Sequence, residues 1–152
     1  MKTVLGIDPG NYKTGFSVLL KENNSLKILK AGVIKPVRKK PLHLKQIFSE
    51  LEKVIKEFNP EEIALESSFF GKNPQTLIRL GEIRGIILLL SALYDIPIYE
   101  YTPQQVKNAI TGYGWAKKED VLSMVERFLN FKPESFDEAD AIAIAFCHLL
   151  NS

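Results

Sequence analysis

The sequence has little cysteine, little histidine and little net charge, and each shortage removes a class of protein. Cys147 is the one cysteine, so no disulfide forms within the chain and the cysteine frameworks of structural zinc sites are absent. The two histidines, His43 and His148, lie far apart in sequence and do not by themselves make a histidine-rich metal motif. The longest apolar run, Ile86 to Leu90 and on to Leu93, is too short to cross a bilayer, and Arg84 and Asp95 bracket it. The chain opens on a strand-like run without the apolar core and small-residue cleavage site of a secretory signal. A reduced, cytoplasmic, soluble setting with no membrane partner is therefore expected. The formal net charge is +2, from 20 Lys plus Arg against 18 Asp plus Glu. Taken alone, that balance argues mildly against a nucleic-acid partner.

What is present is the composition of one ordinary globular domain spanning 1–152, with 45% apolar and 25% charged residues. The charge is unevenly spread. Residues 1–60 carry 12 basic and 5 acidic side chains, whereas 61–100 carry 3 and 6, and 101–152 carry 5 and 7. A basic first third facing an acidic ligand is one reading; solvated lysines on strand and helix faces are the other.

Thr3 to Asp8 reads as a buried strand ending at the turn Pro9-Gly10-Asn11. Gly15 to Leu20 and Leu26 to Lys35 are two further strands around a turn at 22–25. A basic loop, Pro36 to Pro41, follows. Leu44, Ile47, Phe48, Leu51, Val54, Ile55 and Phe58 recur at helical spacing and predict an amphipathic helix over 42–58, stopped by Asn59-Pro60. Ile63 to Glu66 is a short buried strand. After a loop, Asn73-Pro74 supplies an N-cap and first helical residue for a helix to about Tyr94. Ile96 to Tyr101 is a fifth strand, and Thr102-Pro103 opens another helix. Gly112-Tyr113-Gly114 breaks the chain, 117–129 is helical, and Ser135-x-x-Glu138 is a capping-box start for a last helix to about Leu150. The order βββαβαβ followed by helices is that of an α/β fold.

The carboxylates carry the functional argument. Asp8 ends the first strand and Glu66 ends the fourth, and an acid closing a buried strand is not there for packing. If those strands are adjacent and parallel, both acids stand at the sheet edge where open α/β sheets bind ligands. Asp137 and Asp140 lie three apart at the start of the last helix and share a face, flanked by Ala139, Ala141, Ile142, Ala143 and Ile144, which allow close packing. Four carboxylates brought together repel, and a divalent cation relieves that repulsion. Oxygen donors without His or Cys favour Mg²⁺ or Mn²⁺ over zinc. Such a site suits in-line displacement at a phosphodiester with two metal ions. Individually, Asp8 also fits a turn, Glu66 a solvated strand end and Asp137 a helix N-terminus.

Together these residues resemble the RuvC family of Holliday-junction resolvases, within the ribonuclease-H-like superfamily. The likeness runs through Gly6-Ile7-Asp8-Pro9-Gly10 with Thr14-Gly15, Ala64-Leu65-Glu66 with Phe69, Lys72-Asn73, and Leu80-Gly81-Glu82-x-Arg84-Gly85. It continues through Pro97-x-x-Glu100-Tyr101, Val106-Lys107, Thr111-Gly112-x-Gly114, Ala116-x-Lys118 and Asp137-x-Ala139-Asp140-Ala141. The resemblance implies a ribonuclease-H-like, five-stranded mixed sheet flanked by helices. It makes Asp8, Glu66, Asp137 and Asp140 the catalytic, metal-binding acids. It makes Phe69 the aromatic that stacks on a base near the crossover, and Lys107 and Lys118 the basic residues near the cleaved strand. Lys72, Asn73 and Arg79 are further candidates for contact with DNA. Ser67-Ser68 departs from the bulkier or more polar residues expected after the catalytic Glu. The implied substrate is a four-way DNA junction, cut in two opposed strands to leave 5′-phosphate and 3′-hydroxyl ends. The implied partners are a second copy of the chain and the RuvA and RuvB branch-migration proteins.

The remaining residues read more plainly. Phe70 is taken as structural, Arg84 as either a phosphate contact or a helix ion pair, and Lys117 as a surface charge. Cys147 and His148 are adjacent on a helix and so point different ways, which excludes a catalytic pair; His148 reads as a helix C-terminal histidine. The run Ile86 to Leu90 covers every face of its helix and needs a cover on the side away from the sheet, which in this family a homodimer supplies. Three other readings stand beside this one. One is the RNA-acting YqgF-like nuclease group. Another is the sugar-kinase and actin-like proteins, which need two such domains. The last is a noncatalytic DNA-binding module, for which four acids at element ends are a poor design.

Overall fold

Short turns fold the first quarter of the chain into an antiparallel meander of β1 (Lys2–Pro9), β2 (Thr14–Glu22) and β3 (Ser25–Ile34). Asn23, at φ 57°, takes the left-handed conformation at the β2–β3 turn, which a short amide side chain tolerates. The structure, a computed structural model, describes residues 1–68 and 71–151. β4 (Glu62–Glu66) runs parallel to β1, and β5 (Ile98–Tyr101) runs parallel to β4, giving the order β3-β2-β1-β4-β5. The mixed five-stranded sheet is as expected. β5 starts two residues later than the pattern suggests, because Pro97 has no N–H to donate; its carbonyl instead accepts from Ile63 N–H at 2.9 Å.

Helices cover both faces: α1 (Leu42–Phe58) and α2 (Pro74–Leu93) on one, α3 (Pro103–Thr111), α4 (Lys118–Leu129) and α5 (Phe136–Leu150) on the other. Strand alternation decides the layers. Leu5, Ile7, Phe16, Val18, Ile63 and Leu65 share a core with Ile47 and Leu51 of α1 and Ile83, Ile87 and Leu90 of α2. Val4, Leu19 and Ala64 face the α3–α5 side, where Val106, Val125 and Ile142 are buried.

The helix ends are set by local chemistry. Asn73 Oδ1 accepts from Thr76 N–H at 2.8 Å, and Thr102 and Gln105 cap each other reciprocally. Ser135 Oγ accepts from Glu138 N–H at 3.1 Å, as its spacing suggests. The return half of that box differs: the Glu138 carboxylate accepts from Glu134 N–H at 3.4 Å, one residue upstream of the cap.

α5 lies unusually close to the sheet because Gly6 and Gly15 carry no side chain there. A Cβ at Gly6 would stand 2.9 Å from Ala145 Cβ, and one at Gly15 would collide with the Asp137 carbonyl oxygen. Ser17 Oγ, between them on β2, donates to the Ala141 carbonyl at 2.8 Å. The N-terminal turn of α5 is thereby seated on the end of β1 and β2.

Candidate active site

β1 and β4 pair Ile7 with Leu65, so Asp8 and Glu66 follow side by side at the C-terminal ends of two adjacent parallel strands. By alternation Asp8 shares a face with Val4 and Gly6, and Glu66 shares one with Ala64. That face is the one α5 covers. Across the sheet Asp8 pairs with Gly15, the glycine on which the Asp137 carbonyl rests. The close approach of α5 therefore carries Asp137 and Asp140 to the strand ends that carry Asp8 and Glu66.

Electrostatics records the encounter. Burial, then the charges of Glu66, Asp140 and Asp137, holds the Asp8 carboxyl well above its usual range, against the opposing pull of Lys118. Burial and Asp140 push Glu66 up to about 7, while Lys107 and Lys72 oppose. Burial pushes Asp140 up to about 6; Lys118 and Lys107 pull it down and Asp137 pushes it further up. Three lysines expected near the site thus act on its acids. They do not neutralise them: the net direction for all three carboxyls is upward.

Such a site fits a divalent cation by its donors. The side chains are hard oxygen donors, and their charges are in excess of their partners. Thr14 Oγ1, one rung from Asp8 in the β1–β2 ladder, is buried without a hydrogen-bond partner among the described residues. Among the described residues no three of His, Cys, Asp and Glu already stand as a closed ligand set. The acids are gathered at electrostatic range, and ligation requires their side chains to close on the ion.

The structure also places the other expected residues. Lys107 lies in α3 and Lys118 is the first residue of α4. Asn73 spends its side-chain oxygen on the cap of α2. Arg79 stands apart from the acids and donates to Asn11 Oδ1 at 3.2 Å and to Tyr12 Oη at 3.3 Å. Phe69 and Phe70 lie outside the described residues. Arg84 makes a two-pronged ion pair with Glu100, both bonds at 2.7 Å, which lowers the Glu100 carboxyl below its usual value. His148 lies in the last turn of α5, as read, and it is buried there, with Nε2 at 2.8 Å from Glu62 and Nδ1 at 2.6 Å from the Tyr101 hydroxyl. The reason is that α5 stays against the sheet along its whole length, so its last turn is covered too. Cys147 is likewise buried, and burial pushes its thiol up to about 11.

Two contributors escaped the sequence reading. Lys13 Nζ sits 3.4 Å from Asp137 Oδ2, a partner 124 residues away, and only its place five residues after Asp8 hinted at this. Ser67 Oγ donates to Glu100 Oε1 at 2.6 Å. That bond ties the residue after Glu66 to the Arg84–Glu100 pair, and it gives the small residue at this position a task.

A ribonuclease-H-like sheet with clustered carboxylates at the ends of β1 and β4 defines a nuclease-type domain. The family model for crossover junction endodeoxyribonuclease RuvC matches residues 4–148. RuvC of Chlorobium chlorochromatii is 46% identical over 151 residues, covering 97% of this chain and 79% of that protein. RuvC of Pseudothermotoga lettingae is 44% identical over 149 residues, covering 95% and 92%. The solved structure of T. thermophilus RuvC in complex with a Holliday junction substrate superposes with a TM-score of 0.91 at 33% identity, over 99% of this chain and 94% of that one. The chain belongs to the RuvC family of crossover junction endodeoxyribonucleases, and it is a hydrolase. The family's members are generally metal-dependent nucleases. No helix of the described residues is long and apolar enough to cross a membrane.

Proposed function

We propose that the chain, as one domain over 1–152, resolves four-way DNA junctions by hydrolysing one phosphodiester in each of two opposed strands. The observation that carries this reading is the gathering of Asp8, Glu66, Asp137 and Asp140 at one sheet end, where burial and the neighbouring acids push the Asp8, Glu66 and Asp140 carboxyls upward. These four residues would hold Mg²⁺, or Mn²⁺ in its place, and two such ions would supply activation of the attacking water and stabilisation of the leaving oxygen. Lys107 and Lys118 face the same acids and offset charge that gathers on the phosphate. Lys13 pairs with Asp137 at 3.4 Å. Phe69, three residues after Glu66 in sequence, stacks on an unpaired base near the crossover, and Lys72 and Asn73 lead into α2. The products are nicks with 5′-phosphate and 3′-hydroxyl ends.

Symmetric cutting needs two such sites, and the outer face of α2 supports a two-fold dimer. Ile83, Ile87 and Leu90 are buried, but Ile78, Leu89 and Leu93 are more than half exposed. Between them Gly81 and Gly85 leave open space. A second copy of α2 covers this stripe. The RuvA and RuvB branch-migration proteins are the partners that follow from the family.

The test is cleavage of mobile and fixed four-way junctions beside linear duplex, in Mg²⁺ and in Mn²⁺. Paired nicks in opposed strands of the junction alone are expected. Equal cutting of the linear duplex would remove junction selectivity from this reading.

A further inference from the structure

A separate charged cleft opens beside the loop that follows Asp8, on the α1–α2 side of the sheet. It has a volume of about 240 Å³. Asn11 and Tyr12 of the β1–β2 loop line it, with Arg38, Lys39 and Lys40 of the β3–α1 loop and Arg79 of α2. Four cations therefore meet in one small space. The carboxylate of Glu82 is also there, and Lys40 answers it at 3.0 Å.

The two arginines are held by neutral groups. The Arg38 guanidinium lies 4.3 Å from the centroid of the Tyr12 ring, and that of Arg79 lies 5.8 Å from it. Arg79 also donates to Asn11 and to the Tyr12 hydroxyl. Among the described residues neither arginine has a carboxylate within ion-pair distance. They keep their full charge and spare N–H donors while their positions are fixed. The loop itself is pinned, with Val37 N–H donating to Gln46 Oε1 at 2.8 Å. His43 Nδ1, also in the lining, is buried without a hydrogen-bond partner among the described residues. Planar guanidinium donors held ready, with point-charge lysines beside them, match the oxygens of phosphodiesters.

We infer that this cleft is a second DNA-backbone clamp. Arg38 and Arg79, steadied on Tyr12, grip phosphates of a junction arm, with Lys39 and Lys40 adding charge. The inference rests on the DNA-cutting reading above and assigns a task that the four acids do not perform. Asn11 and Tyr12 stand three and four residues beyond Asp8, so a strand held here is registered against the same loop that carries a cutting acid.

The test is the salt dependence of junction binding, measured in Ca²⁺ to prevent cutting, for wild type, Arg38→Ala/Lys39→Ala/Lys40→Ala and the control Lys53→Ala on α1. All the substituted side chains are exposed, so the fold is spared. A companion Tyr12→Ala variant removes the platform while keeping every charge. Each lost phosphate contact lowers the slope of log K against log salt by about 0.9. The triple variant should lose about two of these contacts and bind roughly 10- to 100-fold more weakly near 0.1 M salt. Tyr12→Ala should weaken binding about three- to tenfold, while Lys53→Ala changes nothing. An unchanged slope in the triple variant overturns the clamp. So does saturable sub-millimolar binding of inorganic phosphate to wild type that the triple variant loses with its junction slope unchanged, since the cleft would then hold a free anion. Failure of the junction reading shows separately, as equal cutting of linear duplex and junction by wild type. The slopes measured on that duplex still decide the clamp.

Discussion

Glu62 and Glu66 begin and end the same five-residue strand and share its face, yet the two ends of β4 treat a carboxylate in opposite ways. At Glu62 burial pushes the carboxyl up, but hydrogen bonds from His148 and Lys2, aided by the Lys2 and His148 charges, outweigh it and hold it below its usual value. Lys2 Nζ lies 3.2 Å and His148 Nε2 lies 2.8 Å from the same oxygen. At Glu66 burial works in the same direction, but the next neighbour in strength is another acid, and the carboxyl rises to about 7. One end is a closed structural network and the other is an excess of charge. A protein that needed only stability would have closed both. In the proposed function, the open end is where a cation and a phosphate would complete the charge balance.

Four experiments bear on this contrast, from the largest expected effect to the smallest. Removing divalent cations with a chelator should abolish junction cutting and leave the fold intact by circular dichroism, because the His148–Glu62 end and the two apolar cores need no ion. Lys118→Ala should slow cutting in Mg²⁺ roughly 10- to 100-fold in single-turnover assays, since Lys118 opposes the rise of both Asp8 and Asp140. Glu62→Gln should do the reverse of an active-site change. It should cost about 1–3 kcal/mol of stability in denaturant melts and leave the single-turnover rate within a few-fold of wild type.

The smallest effect is in the pH dependence of metal-free stability, where the two ends have opposite signs. The folded carboxyls of Glu66 and Asp140, at about 7 and about 6, lie above their unfolded values of 4.5 and 3.8. Over that window the folded state binds more protons, so stability should fall as pH rises from about 4.5 to 7. Glu62 is lowered, so its contribution is present above 4.5 and is lost as pH falls through its folded value. Urea melts between pH 4 and 8 in a chelator should show the first trend in wild type. Adding Mg²⁺ should flatten it, because the ion competes with the protons.

The positions of the four candidate acids were legible in the sequence, while their proposed role came from the family resemblance. Asp8 and Glu66 close apolar strands, and Asp137 and Asp140 sit at helical spacing after a Ser cap, so local pattern puts each at an element end, where taken singly it also fits a turn, a solvated strand end or a helix N-terminus. The small residues of α5 that allow its close approach, Ala139 and Ala141 among them, were visible as well, whereas the matching part of Gly6 and Gly15 appears only in the structure. What stayed hidden depends on partners distant in the chain. Lys13 finds Asp137 only after α5 crosses the sheet. His148 is the helix-end residue it was read as, but nothing near it in sequence announces its partner Glu62, 86 positions earlier. The stacking of Arg38 on Tyr12 joins two loops that the sequence shows only as a turn and a basic stretch. The net charge of +2 misleads for a related reason. With the four site acids set aside, 20 basic residues stand against 14 acidic ones, and part of that surplus is concentrated in one cleft.

The central claim is that the open end of the sheet is the cutting site. Its most direct test is single-turnover cleavage of a synthetic four-way junction by Asp8→Asn beside wild type, in Mg²⁺ at protein concentrations that saturate binding. The account predicts junction affinity within several-fold of wild type and a cutting rate lower by about a thousandfold or more, a loss on the order of 4 kcal/mol of transition-state stabilisation. Cutting by Asp8→Asn at a rate near that of wild type would contradict it.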